Sequence, residues 1–392
     1  MNTDGHRWER RPAGEGAGKT DRRLMAPAAP RSPLRGLRVV VLLLVVGLAG
    51  AACRKEAPQR RWEWQSGGLT EALAAARAQG AMALVEVYAT WCPTCHELEQ
   101  EVFADNASRL PADRLVGVRI DFDTPEGQEV ATNYRVMGLP TSLVLDATGK
   151  EISRIEGYET VDAWLGSLDK ALAGKDDYAA VLTRFAEKPD DPELAAEAGA
   201  VKLARGEEEE GIRLLEEVRA KAGAPPKAVF AATRTLGRWF FRVRHQYDRA
   251  LAYFQDGAAR AGDDDAAWGF YWWTAMSLKE LGRPDEALAV FERLMSEHPG
   301  IAQPVGLMAE YLYTIGGDDV RALELARRAA ELGPTDDWNH YLVAVLAERT
   351  GDKAAALAAV RRAIELKPGE AIYAHLLERL SGGEEETTDG RR

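Results

Sequence analysis

The chain has 392 residues, 46% of them hydrophobic and 29% charged, which is room for two or three folded domains. A formal net charge of −12 excludes nucleic-acid binding through a general basic surface. Three cysteines exclude a disulfide scaffold and leave a close pair, Cys92 and Cys95, and a lone Cys53.

Residues 1–30 are rich in Arg, Pro and Gly without an apolar period, and are expected to be disordered. In 31–53, Arg31, Arg35 and Arg38 precede an apolar run at 39–48 and then Ala49-Gly50-Ala51-Ala52-Cys53. Basic, apolar, small is the layout of an export signal. The run is shorter than the ~20 apolar residues that span a bilayer. Small residues before a cysteine resemble a bacterial lipoprotein signal, which implies lipidation of Cys53 and a membrane-anchored, periplasmic protein. The departure is Gly50, where that pattern usually has Leu. An uncleaved N-terminal anchor and simple secretion are the alternatives. Arg22-Arg23 faintly resembles a twin-arginine signal but stands far from the apolar run. All of these readings put the cysteine pair outside the cytoplasm. Polar residues 54–68, with Pro58, Gly67 and Gly68, read as a linker.

Residues 69–174 carry mixed signals. A helical period at 69–79 puts Leu73 and Ala76 on one face and ends at Gly80. Residues 82–89 read as a buried strand. Trp91-Cys92-Pro93-Thr94-Cys95 follows. A helix starting at Cys92 puts its sulfur among unpaired backbone N–H groups, which favour the thiolate. Thiolate is the attacking species in disulfide exchange, and a thiol three positions on can resolve the mixed disulfide. The pair therefore points to a dithiol/disulfide redox centre. A helix at 95–103 with Leu98, Val102 and Phe103 inward, a strand at 115–120 and a helix at 125–134 come next. Strands at 142–145 and 151–155, joined by a turn, and a closing helix at 161–172 complete a mixed sheet with helices on both faces.

From 178 to 382 strand signals vanish and Ala-rich amphipathic helices take over. Ala250, Ala287, Ala322 and Ala356 each sit early in an apolar helix, at spacings of 37, 35 and 34. Phe254, Phe291, Ala326 and Val360 follow them by four residues, and Pro299, Pro334 and Pro368 follow the last three by twelve. Gly199 and Gly211 mark an earlier, degenerate unit. The pattern resembles tetratricopeptide (TPR) repeats, which implies an all-α helical solenoid and a protein partner. The aromatic cluster Trp268, Phe270, Tyr271, Trp272 and Trp273, like Trp239, Phe240 and Phe241, is expected mostly to fill gaps between stacked helices; some members could line a partner groove. Residues 383–392 form an acidic, solvated tail.

The earlier domain resembles the thioredoxin family beyond its cysteines. Trp91 matches the family's aromatic residue. Gly138-Leu139-Pro140-Thr141 matches its cis-proline loop, which lies beside the redox cysteines and pairs with a substrate chain. Glu86, six residues before Cys92, matches its buried acid. Residues 88–91 and 97–103 are most similar to the periplasmic C-terminal domain of DsbD-type electron-transfer proteins. The resemblance implies an α/β thioredoxin fold with Cys92 as nucleophile, Cys95 as resolving thiol and Pro140 in the substrate loop. Glu86, buried in an apolar strand, would have a raised pKa and could accept the Cys95 proton; the bland alternative is an exposed residue with a salt-bridge partner. Some thioredoxins carry a Lys near this acid, and Gly117 stands at that position here.

Cys92-Pro93-Thr94-Cys95-His96 also spells the c-type haem attachment motif. A zinc site from these residues lacks a fourth nearby ligand, and a structural disulfide this short would contribute little stability. As a helix residue near the rim, His96 could tune the pair. Taken together, the sequence describes an exported, membrane-tethered thiol–disulfide oxidoreductase, tilted towards a reductase. It would need no organic cofactor or metal and would act on protein clients or redox partners through their cysteines. The alternative is a TPR adaptor whose redox pair serves one bound client or is not catalytic.

Overall fold

The computed structural model describes residues 61–382, except 91, 176 and 263. The expected disordered N-terminus at 1–30, the export signal at 31–53 with Cys53, the tail at 383–392 and Trp91 lie outside the described residues.

Helix α1 (Leu69–Gln79) stops at Gly80, whose left-handed φ of 62° lets its N–H cap the last turn. Strand β1 (Met82–Tyr88) leads to α2 (Pro93–Leu98), which continues as a π-helical stretch, Glu99–Ala104. Then come β2 (Leu115–Asp121), α3 (Pro125–Asn133), β3 (Thr141–Leu145), β4 (Glu151–Glu156) and α4 (Val161–Leu172). Thr124 and Thr160 cap α3 and α4 by accepting from Gly127 N and Ala163 N. The sheet order is β2-β1-β3-β4, with β1 parallel to β2 and antiparallel to β3.

Alternation along β1 divides the core. Val85 and Val87 pack with Ala72 and Ala76 of α1 and Val130 of α3. Leu84 packs on the other side with Leu98 of α2, Val144 of β3 and Trp164 of α4.

Residues 61–66 differ from the linker expected there. Trp64 bridges to Gly117 in parallel register, and Gln65 N–H donates to Gly117 O at 2.7 Å. Trp62 and Trp64 lie against Phe103, with ring centroids 5.9 and 4.5 Å away. Two indoles with apolar surface to bury outweigh the polar residues that suggested a tether.

The solenoid opens with α5 (Asp177–Glu187), α6 (Pro192–Ala204), α7 (Glu208–Ala220) and α8 (Pro226–Arg238), the last running into a π-helical turn, Trp239–Val243. It continues through α9 (Tyr247–Ala261), α10 (Ala266–Glu280), α11 (Pro284–Glu297) and α12 (Ala302–Ile315). It closes with α13 (Asp319–Leu332), α14 (Asp337–Arg349), α15 (Lys353–Leu366) and α16 (Ala371–Gly382). Ala250, Ala287, Ala322 and Ala356, with their partners four residues on, are fully buried. The small side chain lets neighbouring helices approach, and the next repeat covers the larger one. Phe270, Trp272 and Trp273 are buried, while Trp268 and Tyr271 are only partly covered.

The solenoid also packs on the first domain. Arg135 Nε donates to Ala204 O at 2.9 Å, and Arg242 Nη1 donates to Met137 O at 2.8 Å. Helix α16 contacts α2. Among the described residues no helix is long and apolar enough to cross a membrane.

Candidate active site

The β1–β3 register sets Val87 against Thr141 and Glu86 against Ser142. The chain leaves β1 just after Tyr88 and reaches Cys92 four residues later; it enters β3 just after Pro140. The register therefore brings the cysteine pair and the proline loop to one end of the two central strands.

Cys92 is the N-cap of α2 and adopts extended backbone geometry. Its Sγ accepts from Cys95 N–H at 3.2 Å, and its carbonyl accepts from His96 N–H at 3.2 Å. Pro93 follows at the first helical position, where its missing N–H costs nothing. Cys92 and Cys95 are joined as a disulfide, Cα to Cα 5.3 Å. In the reduced pair, the same Cys95 N–H and the first turn of α2 meet a negative Cys92 sulfur. Cys92 is 0% exposed and Cys95 3%. The Leu139–Pro140 bond is cis, and Pro140 O accepts from Gly157 N–H at 2.8 Å.

Glu86 lies on the central strand, 2% exposed. Its Oε2 accepts a short hydrogen bond from the Ser142 hydroxyl, and its Oε1 is buried with no hydrogen-bond partner. Burial pushes its carboxyl up to about 8, against the opposing pull of the Ser142 hydrogen bond and the Arg119 charge; Glu99 adds a further upward push.

Arg119 stands opposite Glu86 in the β1–β2 register. Its guanidinium carbon lies 4.0 Å from the Tyr88 ring centroid, and its Nε is 3.3 Å from Glu99 Oε2. Gly117, two residues earlier on the same face, has no room for a side chain. A Cβ there would strike the Trp62 ring and stand 3.0 Å from Trp64 Cε3. The indoles fill the space, and the cation near the acid comes from the next position on that face. Arg119→Met should therefore raise the Glu86 midpoint above about 8, by about one unit. Titration of the Glu86 carboxyl by carbon NMR reads this directly; an unchanged midpoint would mean that Arg119 exerts no field there.

His96 Nε2 donates to Thr90 O at 2.7 Å, and its ring meets His375 of α16 edge-on, centroids 5.6 Å apart. Burial, with a smaller contribution from His375, holds its pKa below the usual imidazole value. The segment that spells the haem attachment motif joins the central strand β1 to α2.

Cys92, Cys95, Glu86 and Pro140 are thus gathered by two adjacent strands and one helix. Ser142, Arg119 and Glu99 join them unannounced. Ser142 and Arg119 are polar side chains inside apolar strands, and that was the only signal available for them.

Residues 69–172 match the family model for the thioredoxin-like domain, and residues 270–300 match that for the tetratricopeptide repeat. The first domain is thioredoxin-like, and TPR repeats follow it. The thiol:disulfide interchange protein DsbD of Tatumella citrea is 30% identical over 166 residues, covering 37% of this chain and 28% of that protein. DsbD of Pseudoalteromonas atlantica is 36% identical over 96 residues, 24% of this chain and 16% of that protein. A thioredoxin from Thermus thermophilus, solved in solution, is 34% identical and covers 29% of this chain and 88% of its own, with a TM-score of 0.26. The chain spans less than a third of the length of these DsbD relatives. Within the thioredoxin-like domain, the disulfide-bonded pair opens the helix that follows the first strand.

Proposed function

We propose that the chain is an exported, membrane-tethered protein thiol–disulfide oxidoreductase acting as a reductase, with the TPR solenoid as its partner-binding module. The observation that carries this reading is the Cys92–Cys95 disulfide at the first turn of α2 in a thioredoxin-like domain.

In the reduced protein the Cys92 thiolate attacks one sulfur of a client disulfide. The client S–S bond breaks, its second sulfur leaves as a thiolate, and Cys92 is bonded to the client. Cys95 then loses its proton and attacks Cys92 Sγ. The mixed disulfide breaks, the client's first sulfur leaves, and the Cys92–Cys95 disulfide remains. Two electrons pass to the client, whose two thiolates take up protons. A dithiol donor must return two electrons and two protons to the pair.

Glu86 receives the Cys95 proton in this scheme. Its carboxyl keeps its proton until about 8, so the ionised fraction able to accept the Cys95 proton grows as pH rises towards that value, and that carboxylate is a stronger base than an exposed one. Pro140 and its loop align the client chain, and Trp91 precedes the nucleophile. Cys53, as a lipidated residue, would anchor the protein on the periplasmic side of the membrane. No step draws on an organic cofactor or a metal ion.

Similarity to thiol:disulfide interchange proteins supports disulfide exchange, and the reductive direction is our reading of the resemblance to electron-transfer proteins. The test is the reduction potential of the pair, equilibrated against a glutathione series. The expected value is near that of thioredoxin, about −270 mV; one near −120 mV would make the protein an oxidant. The complete burial of Cys92 favours a second reading, an adaptor whose pair serves only a client that the solenoid holds.

A further inference from the structure

Disulfide exchange requires a second disulfide to reach the attacking sulfur. Cys92 has no exposed surface, and Pro140 is buried as well. The solenoid meets the surroundings of both. At the active-site helix, α16 packs on α2, with His375 edge-on to His96 at 5.6 Å. Lys367, just before α16, reaches Glu97 of α2 at 3.5 Å. At the proline loop, Arg242 Nη1 donates to Met137 O at 2.8 Å, and the Met137 side chain belongs to the solenoid's core cluster.

The two contacts differ in kind. Arg242 is 3% exposed, with its guanidinium 5.0 Å from the Trp273 ring centroid and 5.4 Å from that of Phe122. That contact is sealed. At α16, Lys367 pairs closely with the buried Glu370 of its own solenoid, but across to α2 it has only the 3.5 Å contact with Glu97, both side chains keeping 33% and 28% of their surface in solvent, where an ion pair is weak. The direct contact across to α2 is therefore the weaker of the two.

We propose that the solenoid selects the clients of the redox pair: α16 is a displaceable wall over α2, held there by Lys367 and His375, while Arg242 fixes the loop leading to Pro140. This rests on the reading of Cys92 as the attacking sulfur. A client gains access only in the fraction of molecules whose α16 has moved, so its apparent reactivity is scaled by that fraction. A bulky protein disulfide is slowed more than a small one.

Reactivity of Cys92 in the full chain tests this. The protein is reduced, freed of reductant and treated with iodoacetamide, and labelling of Cys92 is followed by peptide mass spectrometry, apart from Cys95 and Cys53. Native Cys92 should label roughly ten-fold more slowly than the same residue in concentrated guanidinium. The double variant Lys367→Ala, His375→Ala should label roughly ten-fold faster than wild type. It should also gain more on insulin than on hydroxyethyl disulfide. The milder Lys367→Gln, His375→Gln pair is run beside it, and only variants with wild-type circular dichroism are compared. Equal labelling of native and denatured Cys92 would overturn the proposal, as would folded variants that label and reduce insulin no faster than wild type. Faster labelling without turnover of any disulfide would uphold the wall and sink the redox reading. Rapid insulin reduction by wild type with unchanged labelling in the variants would do the reverse.

Discussion

Cys92→Ala should lower insulin reduction to the uncatalysed rate, a loss on the order of 10³-fold or more, because it removes the only group that forms a bond to the client. Cys95→Ala should behave differently. Cys92 keeps its place at the first turn of α2, and attack still breaks the client disulfide. With no second sulfur to release it, the client stays bonded to Cys92. A non-reducing gel should then show a covalent adduct that dithiothreitol removes, absent from Cys92→Ala. The two variants separate attack from resolution, since a general loss of folding would abolish the adduct as well as the turnover. Wild-type activity in Cys92→Ala would sink the proposed reaction outright.

Glu86 should make the stability of the protein fall as pH rises from about 4.5 to about 8. The unfolded chain releases this proton near 4.5, whereas in the fold burial holds it until about 8. Below 4.5 Glu86 is protonated in both states and adds no buried charge to the fold. Between the two values only the unfolded state ionises, so each unit of pH favours unfolding. Above about 8 both are ionised, and the fold carries the full cost of a buried carboxylate. A shift of this size corresponds to a loss on the order of 3–5 kcal/mol across the window. Glu86→Gln keeps an acceptor for the Ser142 hydroxyl and cannot ionise. Urea unfolding of both oxidised proteins at pH 5 and pH 9 should show a difference that grows in favour of the variant at the higher pH. Parallel behaviour at the two pH values would mean that Glu86 is not buried as described. Turnover should suffer in the opposite sense: without the carboxylate, Cys95 loses its proton less readily, and the mixed disulfide should last longer.

Much of this site was legible in the chain because its signals are local. Strand β1 is an apolar run with one acid, and the cysteine pair follows it at a spacing that a helix start explains. The closing helix α4 matched its expected limits because its apolar period and Thr160 cap both lie within the segment. Helix α2 starts at Cys92, its N-cap, as the thiolate argument expected and ahead of the apolar period at 95–103, since proline at the first turn costs the helix no hydrogen bond. Repeated Ala and Phe positions announced the solenoid, as each repeat writes its own packing rule into a few residues.

The amino-acid order alone determined the close cysteine pair, the acid on the central strand, the proline before β3 and the change from sheet to helical repeat. Each depends on residues a few positions apart. Tertiary structure alone decided that Ser142 and Arg119 stand beside Glu86, that Trp62 and Trp64 fill the space above Gly117, and that α16 and Arg242 contact the domain that carries the cysteine pair. Those pairings join residues from 33 apart in the case of Glu86 and Arg119 to 279 apart in the case of His96 and His375. Strand register and helix packing set them, and neither leaves a periodic trace in the segments it unites.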